Sequence, residues 1–399
     1  MFTRKFTLGL LAALTLATTA YAHDPNPVTY WNTVAIEAFS PSQGTNPLMQ
    51  SRTFAILHAA IHDAVNAIDR HFKSYTPGLA AAPRASVDAA VAAAAREILV
   101  TSITDQTSVI NAAYDRALAT VPDGPAKTAG ISTGRAAAMA TLNRRNGDGH
   151  AEAAREYVPQ SGPGAYQFTA PFTFALLPGW GNVRPFVIDL EGHSVEGPQA
   201  LTSAEYARDV EYLKAIGAKD SSTRTPEQTE IARFWYEDSP LGWNRVANAV
   251  IRQRKLDPWA AARAFALVNF AVADGYIAGF DAKYRFNFWR PVTAIRATSD
   301  PSWEPLMTTP PVPDYPSTHT VAGWAAAEVL IQLLGDKAEF TTTSLTLPGV
   351  TRHYSRISTA AEENGLSRIY AGIHFQHAVK DGKQQGRSIG RTAANALGR

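Results

Sequence analysis

The chain contains no cysteine among its 399 residues. A disulfide, a thiolate nucleophile and a cysteine-bound metal are therefore excluded. It also lacks an excess of charge of either sign, because 37 lysines and arginines are balanced by 35 aspartates and glutamates, for a formal net charge of +2 at pH 7. Such a chain has no bulk attraction for nucleic acid or acidic membranes, so any basic site must be local.

The first residues have the features of an export signal. Arg4 and Lys5 precede an apolar stretch over residues 6–17, and Ala20-Tyr21-Ala22 provides the small-x-small pattern of a cleavage site. The apolar stretch is too short to span a bilayer. We therefore predict a signal peptide over residues 1–22 and a mature protein that is periplasmic or secreted. Loss of the two cations would bring its net charge to about zero.

Helical periodicity dominates the chain on either side of a middle segment of different composition. Residues 150–197 are rich in glycine, proline and aromatic side chains, which is typical of a loop or lid over a core. We predict an all-α protein, a helical bundle with long irregular loops, whose N-terminal half spans 23–200 and whose C-terminal half, 201–399, carries the site. The predicted helices cover 52–68, 86–101, 107–119, 127–144, 203–216, 226–236, 243–254 and 258–280.

The stretch from Ala261 to Phe280 is long and largely apolar. It contains Arg263 and Asp274, and charged side chains inside a membrane-spanning helix are costly. We therefore predict a buried helix of a bundle, with no stable insertion into a membrane.

The first candidate motif is Lys283-Tyr-Arg-Phe-Asn-Phe-Trp-Arg290-Pro291. Seven positions separate the two cations, which is two helical turns, so on a helix both would lie on one face. Pro291 would then end or bend the helix. Cations at this spacing are more often a solvated face. Among aromatic side chains, however, buried cations need anionic partners, and the aromatic neighbours here are Phe286, Phe288 and Trp289.

The second candidate motif is Asp314-Tyr-Pro-Ser317-Thr318-His319-Thr, which is followed by an apolar stretch over residues 321–334. This pattern predicts a turn that enters a long helix, with Ser317 near the N-cap. Free N–H groups and the positive end of the helix dipole favour an anion there. Ser317 could simply cap the helix. His319 has no such structural reason, since the same dipole disfavours an imidazolium.

The third candidate motif is Ser367-Arg368-Ile-Tyr-Ala-Gly-Ile-His374. On a helix, Arg368 and His374 would project on adjoining faces at one end of the bundle. A single histidine on an apolar helix is more often a packed core residue than a ligand, so this motif alone decides nothing.

Taken together and in this order, the three motifs resemble the active-site pattern of the superfamily of vanadium-dependent haloperoxidases and type 2 phosphatidic-acid phosphatases. That pattern is Lys-x6-Arg-Pro, then Pro-Ser-x-His, then Ser-Arg-x5-His, and here it occupies the last third of the chain. The sequence around Lys283 and the segment Pro178-Gly-Trp-Gly-Asn-Val-Arg-Pro-Phe are similar to soluble bacterial haloperoxidase-like members. The resemblance implies their type of helical bundle.

The resemblance also implies how an oxyanion would be bound. Lys283, Arg290 and Arg368 would hold the equatorial oxygens of vanadate, or of phosphate in the same site. Ser317 would add its hydroxyl and Thr318 its backbone N–H. Three cations are physically reasonable, because a multiply charged oxyanion is not buried without compensation.

Two histidines would carry the chemistry. By the same resemblance, His374 is the axial ligand of vanadium, or the nucleophile toward phosphorus. His319 is the general acid–base. A crowd of cations would keep the ring of His374 neutral, as either role requires.

Two activities remain open at this point. In the first, vanadate acts as a Lewis acid toward hydrogen peroxide, and a halide is oxidised to hypohalous acid. The alternative is an acid phosphatase that hydrolyses phosphate monoesters through a phosphohistidine. Both use small-molecule substrates, and the oligomeric state and halide preference are left open.

This chain departs from the family pattern at four positions. Thr318 replaces the usual glycine, Val312 stands where many haloperoxidases have Phe or His, and Phe280 stands where they often have Trp. Phosphatases and many haloperoxidases carry Asp four residues after the last histidine, where this chain has Ala378. His377 and Asp381 are nearby in sequence, but what orients His374 is not given by the pattern.

Two other interpretations compete with an oxyanion-binding enzyme. The pair His58 and His62, four residues apart on a predicted helix, could bind a transition metal, although a packed helix face is the commoner explanation. A protein that only sequesters the oxyanion would need neither a general acid nor a nucleophile, so the presence of both His319 and His374 argues against it.

Overall fold

The computed structural model describes residues 25–40, 42 and 45–398, so the predicted export signal and its cleavage site lie outside the described residues. Within them the chain forms thirteen α-helices and one β-hairpin, which confirms the all-α prediction. The first helices are α1 (Pro27–Phe39), α2 (Pro47–Ile68), α3 (Val87–Ser102), α4 (Thr107–Ala119) and α5 (Pro125–Arg145). They are followed by α6 (Ala204–Ile216), α7 (Pro226–Phe234), α8 (Ser239–Gln253), α9 (Pro258–Phe286), α10 (Pro291–Thr298) and α11 (Thr318–Leu334). The hairpin, β1 (Lys337–Thr343) and β2 (Thr351–Arg356), precedes α12 (Ile357–Tyr370) and α13 (Gln376–Ala394).

Helix α9 lies at the centre of the bundle. Its start is fixed by Asp257, whose side chain accepts a hydrogen bond from the N–H of Ala260, and by Pro258 in the first turn. The helix packs mainly against α11 on one side and α2 on the other. Its length and composition would suffice to span a membrane, but 89% of its most apolar window is buried inside the protein. This burial agrees with the prediction of a buried bundle helix.

The middle segment between α5 and α6 wraps over this central helix. Its described residues form short 3₁₀ turns and no α-helix, as predicted for a loop region. Asp274 of α9 holds it in place, because the buried carboxylate accepts hydrogen bonds from three successive backbone N–H groups, those of Phe186, Val187 and Ile188. Burial raises the pKa of Asp274 to about 6, although these N–H donors oppose the shift.

A row of glycines lets α13 approach α11 closely. A Cβ atom on Gly386 would lie 2.4 Å from the carbonyl oxygen of Val321, and one on Gly390 would lie 2.7 Å from that of Ala325. A Cβ atom on Gly382 would lie 2.9 Å from the carbonyl oxygen of Ser317. The glycines therefore bring α13 against the helix that carries the second motif.

The hairpin was missed by the sequence prediction. Strands β1 and β2 pair antiparallel, with Phe340 opposite Tyr354. Side chains of β1 alternate strictly between exposed and buried, which is the periodicity of a half-buried strand. The alternating pattern lies within Lys337–Thr343, but it covers only seven residues and was therefore not recognised as a strand.

His58 and His62 are both buried in the core. The ring of His58 stacks on Phe265 and its Nε2 lies 3.1 Å from Asn32 Oδ1, while Nε2 of His62 lies 3.0 Å from the carbonyl oxygen of Lys73. These are the contacts of packed core histidines. Among the described residues, no group of three histidine, aspartate or glutamate side chains is arranged to hold a metal ion.

Candidate active site

Six of the seven predicted site residues line one cavity of about 260 Å³. They are Lys283, Arg290, Thr318, His319, Arg368 and His374. Ser317 lies directly before Thr318 at the start of α11. The rest of the lining includes apolar side chains, among them Val312 and Phe280, two of the positions that depart from the family pattern.

The first motif is not one continuous helix, so this part of the sequence prediction was wrong. Helix α9 ends at Phe286, because Asn287 adopts the left-handed conformation with φ 51°. Arg290 is extended and directly precedes α10. Pro291 is the first residue of α10 and does not bend or stop α9, which has already ended. The two cations meet because both reach the turn that precedes α11.

The third motif also leaves the helix earlier than predicted. Helix α12 ends at Tyr370, and the chain turns at Gly372, which has φ 77°. His374 therefore lies in the turn between α12 and α13, not on a helix with Arg368. This turn carries the ring into the cavity beside Arg290.

The second motif has the predicted geometry. Ser317 is the N-cap residue of α11, and its backbone N–H donates to the carbonyl oxygen of Ala378, 2.9 Å away. Its side-chain oxygen accepts a hydrogen bond from the hydroxyl of Thr320 at 2.9 Å. The first N–H groups of α11 have no acceptor within the helix, so this end favours an anion.

Thr318 is accommodated by a glycine of the central helix. A Cβ atom on Gly279 would lie 2.9 Å from the Thr318 hydroxyl oxygen. That hydroxyl has no hydrogen-bond partner in the part of the chain that the structure describes. The threonine therefore lines the cavity with a donor that is not otherwise used.

Lys283 is fully engaged with the turn before α11. Its Nζ donates to three backbone carbonyl oxygens, those of Pro313, Asp314 and Pro316, at 2.7, 2.9 and 2.7 Å. Burial, followed by the charge of Arg290, lowers the pKa of Lys283 well below its usual range. The three carbonyl oxygens favour the ammonium form, since they accept from it. An oxyanion would contact Nζ directly only by displacing one of them.

Arg290 connects the turn before α11 to the turn after α12. Its Nε donates to the carbonyl oxygen of Val312 and its Nη1 to that of Ile373, both at 2.7 Å. The same Nη1 lies 3.0 Å from Nε2 of His374. Burial lowers the pKa of Arg290, but an arginine remains cationic in a protein.

Arg368 is the least committed of the three cations. Its Nη1 donates to the carbonyl oxygen of Trp235 at 3.3 Å, and its guanidinium lies 5.5 Å from the ring centre of Tyr236. Its Nε has no hydrogen-bond partner among the described residues. Burial lowers the pKa of Arg368 to about 10, so it is charged at neutral pH.

Burial and the neighbouring cations act together on His374. Burial, then Arg290, then Lys283 hold the pKa of His374 well below its usual range. The ring is therefore neutral at neutral pH, with one nitrogen lone pair available to a ligand or an electrophile.

Both ring nitrogens of His319 are already hydrogen-bonded. Nδ1 lies 2.8 Å from the Ser239 hydroxyl, and Nε2 lies 2.7 Å from the Asn364 side-chain amide. Burial and then Arg368 hold the pKa of His319 well below its usual range. Ser239 and Asn364 thus set the orientation of this ring.

Carboxylates of the site were missed by sequence reasoning, Asp238 and Asp314 among them. Asp238 lines the cavity and accepts a hydrogen bond from Gln50 at 2.9 Å. Asp314 lies behind His374, with its Oδ1 2.9 Å from the ring Nδ1. Asp238 belongs to none of the three motifs, so no spacing could have found it. Asp314 was inside the second motif, but nothing in the pattern gave it a partner.

The donor set fits a tetrahedral oxyanion. Three buried cations converge on the cavity, and Glu237, which also lines it, is already paired with Arg245, so only Asp238 and Asp314 among the described residues are left to balance them. Two buried donors, Arg368 Nε and the Thr318 hydroxyl, lack partners among the described residues, and buried polar groups in proteins normally have them. An anion between Arg368, Thr318 and His374 would satisfy these groups.

Comparison with known proteins gives a consistent result. A family model described as the VCPO second helical-bundle domain matches residues 263–399. The chain is similar to the vanadium chloroperoxidase of Curvularia inaequalis, with 24% identity over 488 aligned positions that cover 89% of this chain and 79% of that protein.

Solved structures give the same likeness across nearly the whole chain. A bacterial vanadium-dependent iodoperoxidase superposes with a TM-score of 0.84 at 26% identity, covering 94% of this chain and 97% of that one. A holo-type bacterial vanadium-dependent chloroperoxidase shares the fold, with a TM-score of 0.72 at 16% identity and coverage of 88% and 92%. The match of residues 263–399, the relatives and the fold support the superfamily of vanadium-dependent haloperoxidases and type 2 phosphatidic-acid phosphatases, to which the three motifs also point.

Proposed function

We propose that the protein is a vanadate-dependent peroxidase that uses hydrogen peroxide to oxidise halide to hypohalous acid. The observation that carries this proposal is the placement of a neutral histidine among three buried cations in one cavity. This arrangement supports a site for an anionic cofactor with one nitrogen ligand. The named relatives, an iodoperoxidase and chloroperoxidases, support the same class of reaction.

Each residue then has a defined task. Arg368 and Arg290 compensate the charge of the anion, and Arg368 brings its Nε, which has no hydrogen-bond partner among the described residues. Lys283 holds the turn that presents Ser317 and Thr318, while its charge adds to the field. His374 offers Nε2 as the nitrogen ligand, and His319 is placed to move a proton at the edge of the cavity. Bound vanadate would supply Lewis-acid activation of hydrogen peroxide.

The named relatives and the apolar lining of the cavity favour the peroxidase over the acid phosphatase. The relatives are haloperoxidases, and the cavity of about 260 Å³ has room for peroxide and a halide ion beside the oxyanion. A phosphate monoester would have to place its alcohol in the same space, against Phe280 and Val312.

One experiment decides between the two activities. Anion-free protein is incubated with orthovanadate, and oxidation of iodide, bromide and chloride is followed with hydrogen peroxide and a dye that is halogenated. Hydrolysis of p-nitrophenyl phosphate is measured in parallel without vanadate. We expect halide oxidation that depends on vanadate and is lost in His374→Ala. Phosphate ester hydrolysis without any halide oxidation would assign the phosphatase function in its place.

We further propose that the protein is exported and that the mature chain begins at His23. The basic residues, the apolar stretch and the Ala-Tyr-Ala site near the N-terminus support this proposal. Mass spectrometry of the protein from the periplasm or the medium should give an N-terminal peptide starting at His23. An intact N-terminus on cytoplasmic protein would contradict it.

A further inference from the structure

The two ring nitrogens of His374 have different neighbours. Nε2 lies 3.0 Å from Nη1 of Arg290. A guanidinium donates hydrogen bonds and does not accept them, so Nε2 must be the nitrogen with the bare lone pair. In a neutral ring the proton is then on Nδ1.

Nδ1 faces the carboxylate of Asp314. The distance from Nδ1 to Oδ1 is 2.9 Å, and both groups are buried. Neither atom has an aligned hydrogen bond within the described residues, so the N–H direction deviates from the line to Oδ1. A small rotation of the ring would correct this deviation. Catalytic hydrogen bonds commonly align in this way when a ligand binds.

The first motif holds Asp314 in this position. Its backbone N–H donates to the carbonyl oxygen of Phe288, and its own carbonyl oxygen accepts from Lys283, both at 2.9 Å. Nη1 of Arg290 lies 3.9 Å from Oδ1. Both carboxylate oxygens are buried and have no hydrogen-bond partner elsewhere in the described chain. The carboxylate therefore has one buried N–H within reach, that of His374.

We propose that Asp314 is the positioning residue of His374, which keeps the ring proton on Nδ1 and the Nε2 lone pair available to the bound oxyanion. This inference rests on the proposed function. It also identifies the group that orients His374, which the family pattern does not give for this chain. The position four residues after the histidine is Ala378, whose side chain has no polar group. In this chain the carboxylate comes from the second motif, three residues before Ser317. A carboxylate behind a metal-bound histidine fixes its tautomer and its orientation.

The test begins with the ring itself and needs no catalysis. The protein is labelled with ¹⁵N-histidine, and His374 is assigned from the signal that disappears in His374→Gln. With phosphate bound, we expect a Nδ1–H proton resonance shifted strongly downfield by the carboxylate. It should be lost in Asp314→Ala and reduced in Asp314→Asn, which keeps the shape of the side chain without its charge. A Nδ1–H resonance unchanged in both variants would overturn the proposal.

Binding provides the second measurement. Removal of such a supporting partner typically weakens metal binding by about 10- to 100-fold, so the dissociation constant of vanadate should rise by that factor in Asp314→Ala. Asp274→Asn is the matched control, since it changes an equally buried carboxylate that does not contact the site. Equal losses in both variants would mean that Asp314 acts only through stability. A wild-type protein that binds neither vanadate nor phosphate would refute the proposed function, while the ¹⁵N shifts of the anion-free ring, which report whether the proton is on Nδ1 or Nε2, would still decide the role of Asp314.

Discussion

Replacing Arg368 by methionine should weaken anion binding far more than it weakens the fold. The guanidinium is buried, its Nε has no partner among the described residues, and its bond to the carbonyl oxygen of Trp235 is 3.3 Å long. At least two donors are therefore available to an anion. Each hydrogen bond to a charged group is worth about 1.5–3 kcal/mol. Two of them amount to roughly 3–6 kcal/mol, which corresponds to an increase of about 10²–10⁴-fold in the dissociation constant.

For Lys283 we predict the opposite: its replacement by methionine should weaken the fold more than it weakens anion binding. Its three N–H donors are bound to the carbonyl oxygens of Pro313, Asp314 and Pro316. Lys283→Met would leave three buried acceptors unpaired, and each costs about 1–3 kcal/mol. The free energy of unfolding should therefore fall by roughly 3 kcal/mol or more in this variant. In Arg368→Met it should change little, because the only backbone acceptor among the described residues that loses a partner is the Trp235 carbonyl oxygen, whose bond is long, and an incompletely paired buried cation is itself unfavourable.

The two variants are compared by the same pair of assays. Vanadate and phosphate affinities are measured by calorimetry at fixed salt, and unfolding by urea in phosphate-free buffer. Arg285→Met is the control, because Arg285 is an exposed cation two residues from Lys283 and should affect neither quantity appreciably. Affinity within tenfold of wild type in Arg368→Met would refute the reasoning. So would an unchanged unfolding midpoint in Lys283→Met.

Three further predictions follow from other contacts. His374→Ala should abolish stable vanadate incorporation, measured by equilibrium dialysis. His319→Ala should still bind vanadate but lose about 10²–10⁴-fold in turnover, measured by the dye assay. The reverse pattern would show that the roles of the two histidines are exchanged. Because burial raises the pKa of Asp274 in the folded state to about 6, from its ordinary value of 3.8, its contribution to stability is present below pH 4 and is lost as pH rises toward 6. The free energy of unfolding of the wild type, minus that of Asp274→Asn, should then fall between pH 4 and 6 by at most about 1.4 kcal/mol per pH unit. Free energies of unfolding that change in parallel with pH in the two proteins would contradict this prediction. Gly386→Ala should lower the free energy of unfolding, measured in urea, by about 1–3 kcal/mol, because the new Cβ atom would meet the Val321 carbonyl oxygen. The control, Gln384→Ala on the exposed face of α13, should not lower it.

The three motifs were sufficient to predict which side chains would meet. Spacing alone could not give their geometry, because seven residues fit two turns of helix as well as a helix followed by a turn. Asn287 decides between them at the end of α9, and Gly372 does so after α12. Asparagine and glycine tolerate positive φ, but neither has to adopt it, so the sequence did not fix these turns.

The partners of the site residues were less accessible to prediction. That Lys283 would donate to three carbonyl oxygens depends on how the prolines around Asp314 turn the backbone, which no side-chain pattern encodes. The contacts of His319 with Ser239 and Asn364 join residues 80 and 45 positions away in the chain. Such pairs become visible only when the helices are packed.

The glycines of α13 have a consequence for how the site forms. Each glycine inside a helix costs about 1 kcal/mol relative to alanine, so a segment with Gly382, Gly386 and Gly390 has little helicity of its own. Its helical state depends on docking against α11, whose N-cap serine donates from its backbone N–H to the carbonyl oxygen of Ala378. Order in the C-terminal segment and order at the anion-binding turn are therefore gained and lost together, as one cooperative folding unit.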